Sequence, residues 1–213
     1  MESQEISLKN HEDSYEKRYV KNVYNKISQH FNVTRVFVWG FINEYLETIK
    51  KDDIVYDIGC GNGVHMVTKN FIGIDNSEKL LDICRAKGLN VINSDMTSLP
   101  LKNKTADKVL CISSFHHLST EKRRIKSLLE MKRVLKDNGE IVLSVWSINQ
   151  PKKVKRNFNY GHNIVLWCKY GEKYERYYYI FSIDELKILF KICGLKIKKY
   201  IWDFGNEIFI LTK

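Results

Sequence analysis

The sequence predicts an α/β fold: a mostly parallel seven-stranded sheet covered on both faces, closed by a C-terminal antiparallel hairpin and preceded by two N-terminal helices. Three observations predict it. Strand-length apolar runs alternate with helical spacings from residue 53 to residue 146, the rhythm of parallel strands joined by crossovers. The first run, Ile54-Val55-Tyr56-Asp57-Ile58, ends in glycines at alternate positions, Gly59, Gly61 and Gly63. The last two runs are separated only by a turn.

Taken in order, residues 1–14 are polar and expected to fray. Tyr19, Val20, Val23, Tyr24, Ile27 and Phe31 recur at helical spacing. A polar link over 29–35 is expected to break that helix before a second one carrying Trp39, Ile42, Leu46 and Ile49. Strands follow at 53–59 and 71–75, with little more than one helical turn between them. Ser77 is positioned to cap a helix bearing Leu80, Leu81, Ile83 and Cys84 that ends at Gly88. Asn90-Val91-Ile92-Asn93 and Val109-Leu110-Cys111-Ile112 make the third and fourth strands. A helix from about Thr120 to Leu135 has Ile125, Leu128, Leu129 and Val134 on its inner face, and residues 141–146 make the fifth strand. Residues 149–181 break the rhythm, being basic and aromatic, and read as an insertion on the substrate side. Ser182 opens a last helix ending at Gly194, and strands at 195–201 and 208–211 meet at a turn over Gly205-Asn206. No repeat or linker divides the chain, so 1–213 reads as one domain with a helical segment over 1–50.

With 213 residues and 44% apolar content the chain can bury a core without disulfides or metals. Lys and Arg number 35 against 25 acids, a formal charge of +10, which favours a polyanionic partner such as nucleic acid. The five cysteines are odd in number and never form Cys-x-x-Cys, so they read as thiols in a reducing compartment with no zinc framework. No apolar run reaches the roughly 18 residues of a membrane span. The expectation is a cytosolic chain, with the nucleus as the alternative.

The glycine loop is the informative motif. Glycines at the carboxyl end of a strand allow a sharp turn and a close ligand approach. The acid closing the next strand, Asp75, is placed to accept from both ribose hydroxyls. The Gly-x-Gly-x-Gly spacing lacks the last glycine of a dinucleotide fingerprint, and Asp57 puts an anion where a pyrophosphate would need to lie. A ligand with a cationic, amino-acid-like end fits better, and S-adenosylmethionine has one.

A parallel sheet ending in a hairpin, with this loop, resembles the Rossmann-like S-adenosylmethionine-dependent methyltransferases from about residue 50 onward. A closer likeness begins earlier. Tyr19 to Tyr24, His30-Phe31, Thr34-Arg35 with Trp39, the Asp57 to Gly63 loop, His116 to Thr120 with Arg123-Arg124, and Tyr177 to Tyr179 resemble the eukaryotic tRNA wobble-uridine carboxymethyl methyltransferases. Gly40 stands where that family places a proline, and Val64-His65 replaces a lysine and aromatic pair.

The resemblance implies esterification of the carboxylate of 5-carboxymethyluridine, a group already ionised at neutral pH that needs no general base. It implies Asp57, Gly59, Gly61 and Gly63 at the methionine end of the cofactor, Asp75 at the ribose, Asp95 and Met96 at the adenine, and Ser113 beside the transferred methyl. Arg35 is suited to a bidentate grip on the substrate carboxylate, as a positioning group, and His116 and His117 are candidate substrate contacts. The basic runs Lys152 to Arg156, Lys122 to Arg124 and Lys196 to Lys199 would hold tRNA phosphates, with tyrosines among them stacking on unpaired bases; Trp167 and Tyr177 to Tyr179 read equally as core packing. The resemblance also implies a small zinc-binding activator subunit pairing with an edge strand around residues 89–96. The alternatives are a methyltransferase for another RNA position or a small molecule, and an inactive cofactor-binding scaffold.

Overall fold

Strand β1 (Val55–Ile58) is buried along its whole length, because it lies at the centre of a sheet with helices on both faces. The computed structural model describes residues 15–38, 40–154, 157–169 and 171–213. Expectations for residues 1–14, Trp39, Lys155, Arg156 and Tyr170 lie outside these. β1 pairs in parallel with β2 (Phe71–Asp75) and β4 (Ala106–Ile112). β3 (Val91–Asn93) and β5 (Leu135–Trp146) extend the parallel sheet on the two sides. The hairpin of β8 (Lys196–Asp203) and β9 (Asn206–Thr212) adds antiparallel to β5, giving the order β3-β2-β1-β4-β5-β9-β8.

Side-chain alternation sorts the core into two layers. On one face Cys111 and Leu143 meet Leu128 and Met131 of α4 (Glu121–Val134) and Phe190 of α5 (Ile183–Ile192). On the other, Leu110 and Val142 meet Ile42 and Leu46 of α2 (Gly40–Glu47) and Leu81 of α3 (Glu78–Ala86). Helix α1 (Asn22–Thr34), entered through a π-helical turn over Lys17–Lys21, lies outside both layers. Its apolar stripe, Val23 and Ile27, packs with Trp167. No helix among the described residues is long and apolar enough to cross a membrane.

The structure departs from the sequence expectations at several points. The 29–35 link does not break α1, which runs through Thr34; the Thr34 hydroxyl bonds back to His30 O at 2.8 Å and Phe31 O at 3.2 Å, satisfying itself within the helix. Between β1 and β2 there are turns and no helix. The Ser77 side chain does not cap α3. Instead Asn25 of α1 does so from outside, its Oδ1 accepting from Lys79 N at 3.1 Å and the Ser77 hydroxyl at 2.9 Å. Leu129 faces solvent, and Met131 takes its place inside. The C-terminal turn is centred on Phe204 and Gly205, at φ +44° and +79°, one residue earlier than expected.

The largest correction is the insertion. Residues 161–180 form a second, two-stranded antiparallel sheet, β6 (Gly161–Lys169) and β7 (Glu172–Ile180). Trp167, Tyr177 and Tyr178 are buried there and so are not available to stack on RNA. Two of the expected phosphate contacts are also committed elsewhere. Arg124 is buried with its guanidinium 3.4 Å from the Tyr179 ring centroid, and Arg123 pairs with Glu16 and Asp95.

Asn25→Ala removes the external cap of α3. By the usual worth of an N-cap it should cost about 1 kcal/mol, read as a lower urea midpoint with an unchanged m-value, whereas Ser77→Ala should cost less.

Candidate active site

The glycine loop leaves β1 and is pinned to the end of β2. Gly59 N and Cys60 N donate to Ile74 O at 2.6 and 3.1 Å, and Gly61 N donates to the Asp75 carboxylate at 2.9 Å. Gly59 is required twice over: it has positive φ, and a Cβ would lie 2.4 Å from Ser114 Cβ, while Gly63 is required chiefly by its own positive φ. The loop forms one wall of a cavity of about 570 Å³ that is also lined by Asp75, Asp95, Met96, Ser113, His116, His117, Arg35 and Asn62.

Each acid has a different environment. Asp57 is buried just behind the loop and neither carboxylate oxygen has a hydrogen-bond partner, the nearest cationic candidate being His65 Nδ1 at 3.7 Å. A buried, unpaired carboxylate is costly, and a ligand ammonium would satisfy it. The residues present therefore fit the methionine end of S-adenosylmethionine. Asp75 accepts from Gly61 N and Ser77 N, and burial raises its pKa against those bonds. Asp95, the expected adenine contact, gives one oxygen to Thr97 and the other to Arg123 at 2.6 Å. Burial pushes its carboxyl up, and Arg123 with Thr97 more than offsets this, leaving it below the usual range. Ser113 sits at φ +51°, an uncommon conformation for a residue with a Cβ, held by Ser144 O and Oγ on its amide.

The two histidines differ in a way the sequence left open. His117 Nδ1 lies 2.7 Å from the Tyr177 carbonyl, so Nδ1 carries the proton and Nε2 accepts from the Tyr24 hydroxyl at 3.0 Å. Both nitrogens are used. His116 Nδ1 accepts from Trp146 N at 3.1 Å, so its proton is on Nε2, which is buried without a partner. Burial drives both below the ordinary histidine pKa, His117 to about 3.

Sequence reasoning missed Arg176 on β7, which is buried and lines the same cavity. It donates to the Tyr178 hydroxyl at 2.6 Å. Tyr178 lies 3.3 Å from Tyr24, and since the Tyr24 proton goes to His117, Tyr178 is the donor there. The chain Arg176, Tyr178, Tyr24, His117, Tyr177 carbonyl thus has one direction throughout, and it ties α1 to the β6–β7 hairpin. The available signal is the alternation of Arg176 and Tyr178 on one strand face, which the charged and aromatic residues of 149–181 obscure. Arg35, at the end of α1, lies 5.3 Å over the Trp167 ring and bonds its own chain at Thr34 O. Among the described residues no group of three or more His, Cys, Asp or Glu side chains is arranged to hold a metal.

Residues 56–143 match the family model for a methyltransferase domain. Over 220 aligned residues the chain is 31% identical to the tRNA (carboxymethyluridine(34)-5-O)-methyltransferase of Schizosaccharomyces pombe, covering 92% of this chain and 96% of that one. It is 38% identical over 138 residues to the tRNA (carboxymethyluridine(34)-5-O)-methyltransferase of Arabidopsis thaliana, covering 63% of this chain but 34% of that protein. The chain thus spans about a third of that longer relative. A solved chain from the complex between the Haloferax volcanii Trm112 methyltransferase activator and a putative methyltransferase superposes with a TM-score of 0.67 at 15% identity, over 91% of this chain and 96% of that one.

Because the folded state resists protonating His116 and His117 while the unfolded chain takes up protons near pH 6.5, their contribution is fully present above that pH. It is lost as pH falls, for His117 over the window from about 6.5 to 3, at up to about 1.4 kcal/mol per pH unit for each group. Glu16 and Asp75, both raised by burial, act in the opposite sense. The check is therefore a difference: between pH 7.5 and 5.5 the melting temperature of wild type should fall more than that of His117→Gln.

Proposed function

We propose that this chain, which belongs to the tRNA (carboxymethyluridine(34)-5-O)-methyltransferase family, transfers a methyl group from S-adenosylmethionine to the carboxylate of 5-carboxymethyluridine at the tRNA wobble position. The observation that carries the reading is that, among the described residues, neither of the adjacent histidines His116 and His117 in the cavity has a free basic nitrogen. His117 uses both nitrogens, His116 has its basic nitrogen occupied by Trp146 N, and Glu16, Asp75 and Asp95 already accept hydrogen bonds. An acceptor that must lose a proton, such as a ring nitrogen donor or a ribose hydroxyl, would need one. A carboxylate does not.

Asp57 with the loop at Gly59, Gly61 and Gly63 would hold the methionine end, Asp75 the ribose, Asp95 and Met96 the adenine, with Ser113 beside the reacting groups. Bound there, S-adenosylmethionine supplies a methyl group on a sulfonium cation. Its transfer to a carboxylate neutralises two opposite charges, so a site that excludes water favours it. The aromatic and aliphatic wall formed by Val20, Phe31, Met96 and Trp146 does this. Exposed Lys152, Lys153, Lys196 and Lys199 remain available for tRNA phosphates, in keeping with the +10 formal charge. Work on tRNA would place the chain in the cytosol.

An activator subunit is part of the same reading. β3 is a three-residue edge strand with an open side, and main-chain pairing along 89–96 would cover it.

Incubation with labelled S-adenosylmethionine and tRNA bearing 5-carboxymethyluridine, with a candidate activator subunit, should incorporate label that mild alkali releases, the behaviour of an ester. Label that survives alkali would instead indicate a base or ribose target, and cofactor binding without any transfer would indicate a scaffold.

A further inference from the structure

We infer that Arg176, with His116 beside it, forms the subsite that holds the carboxylate of the methyl acceptor, and that Arg35 does not. The inference rests on the substrate reading above. Arg176 is 2% exposed and lines the cavity. Its Nη1 donates to Tyr178, and the Trp167 ring centroid lies 4.6 Å from its guanidinium carbon. Its Nε has no partner, and among the described residues no carboxylate forms an ion pair with it; the groups acting on its charge are the phenols of Tyr178 and Tyr24.

The other arginines of the core show how unusual this is. Arg124, 3% exposed, donates to Leu118 O and Ser119 O and pairs with Glu185 at 3.6 Å. Arg133 pairs with Glu130, and Arg123 with Glu16 and Asp95. A buried guanidinium without an acid is costly to keep, and here the missing anion has a cavity to arrive through.

His116 supplies the second unpaired donor. Trp146 N fixes its tautomer with the proton on Nε2, and that atom is buried and unpartnered. Tyr178 joins the two groups, accepting from Arg176 and packing its ring 4.8 Å from the His116 ring. Because Tyr24 and His117 take up the Tyr178 proton direction, a phenol lone pair faces Arg176 and holds the guanidinium in place. Two unpaired donors, Arg176 Nε and His116 Nε2, are the complement of a carboxylate; the cavity lining also carries one unpaired acceptor, Asn206 Oδ1. Arg35 instead is half-buried at the end of α1, over the Trp167 ring and bonded to Thr34 O.

One functional consequence follows. The ester product no longer carries the charge that Arg176 grips, so the subsite holds substrate more tightly than product and favours release.

The test uses the full chain with its activator subunit and two anticodon stem-loop RNAs, one carrying 5-carboxymethyluridine and one its neutral isostere 5-carbamoylmethyluridine. Wild type should bind the carboxylate RNA at least tenfold more tightly. Arg176→Gln should abolish that preference by weakening only the carboxylate RNA, with amide-RNA and S-adenosylmethionine affinities within twofold of wild type. Arg35→Ala should weaken both RNAs alike and keep the preference. A preference that survives Arg176→Gln, a loss in that variant shared by both RNAs, or a preference lost in Arg35→Ala would overturn the inference while wild type still transfers alkali-labile label. Absence of both preference and transfer in wild type would overturn the substrate reading, and this inference with it.

Discussion

Everything at the site depends on how the chain leaves β1. Three successive amides after the strand, those of Gly59, Cys60 and Gly61, bond to the end of β2 at Ile74 O and the Asp75 carboxylate. Those bonds bend the loop over its neighbour, and the bend demands positive φ at Gly59, Gly61 and Gly63. The same packing that forbids a Cβ at Gly59 positions Ser114, whose hydroxyl bonds Ile58 O at 2.9 Å. The glycine loop and the start of the wall that carries His116 and His117 are therefore set by one piece of backbone.

The opposite wall is assembled from distant parts of the chain. α1 and the β6–β7 hairpin meet through the Val23, Ile27 and Trp167 cluster and through the polar chain from Arg176 to His117. Apolar packing supplies most of the adhesion between them. The polar chain adds register, since each of its members has a single allowed donor or acceptor role. This arrangement leaves buried groups unsatisfied, Asp57 behind the glycine loop and Arg176 with His116 on the cavity wall. A bare anion behind the loop and a bare cation on the cavity wall suit a cofactor with an ammonium group and an acceptor with a carboxylate.

The parallel sheet, the loop, Asp57 and Asp75 were legible in the sequence because each depends on local pattern: strand-length apolar runs, glycines at alternate positions, an acid closing the next run. The likeness to the wobble-uridine family was legible for the same reason, in short contiguous motifs. The hairpin was not, because charged and aromatic residues on β6 and β7 obscure the alternation that Arg176 and Tyr178 share. The continuation of α1 through Thr34 was also hidden, since a hydroxyl that bonds back into its own helix looks like a breaker. Nor does sequence say which of two adjacent histidines is spent on the fold. Only the Tyr177 carbonyl and the Trp146 amide, 60 and 30 residues away, decide that.

The unpaired Asp57 carboxylate is proposed to take the cationic end of the cofactor. Calorimetric titration of wild type and Asp57→Asn with S-adenosylmethionine and with 5′-methylthioadenosine, which lacks the amino-acid end, tests it most directly. Asp57→Asn should weaken S-adenosylmethionine by about tenfold or more, a loss of roughly 1.4 kcal/mol, and leave 5′-methylthioadenosine unchanged. Equal weakening of both ligands, or of neither, would contradict it.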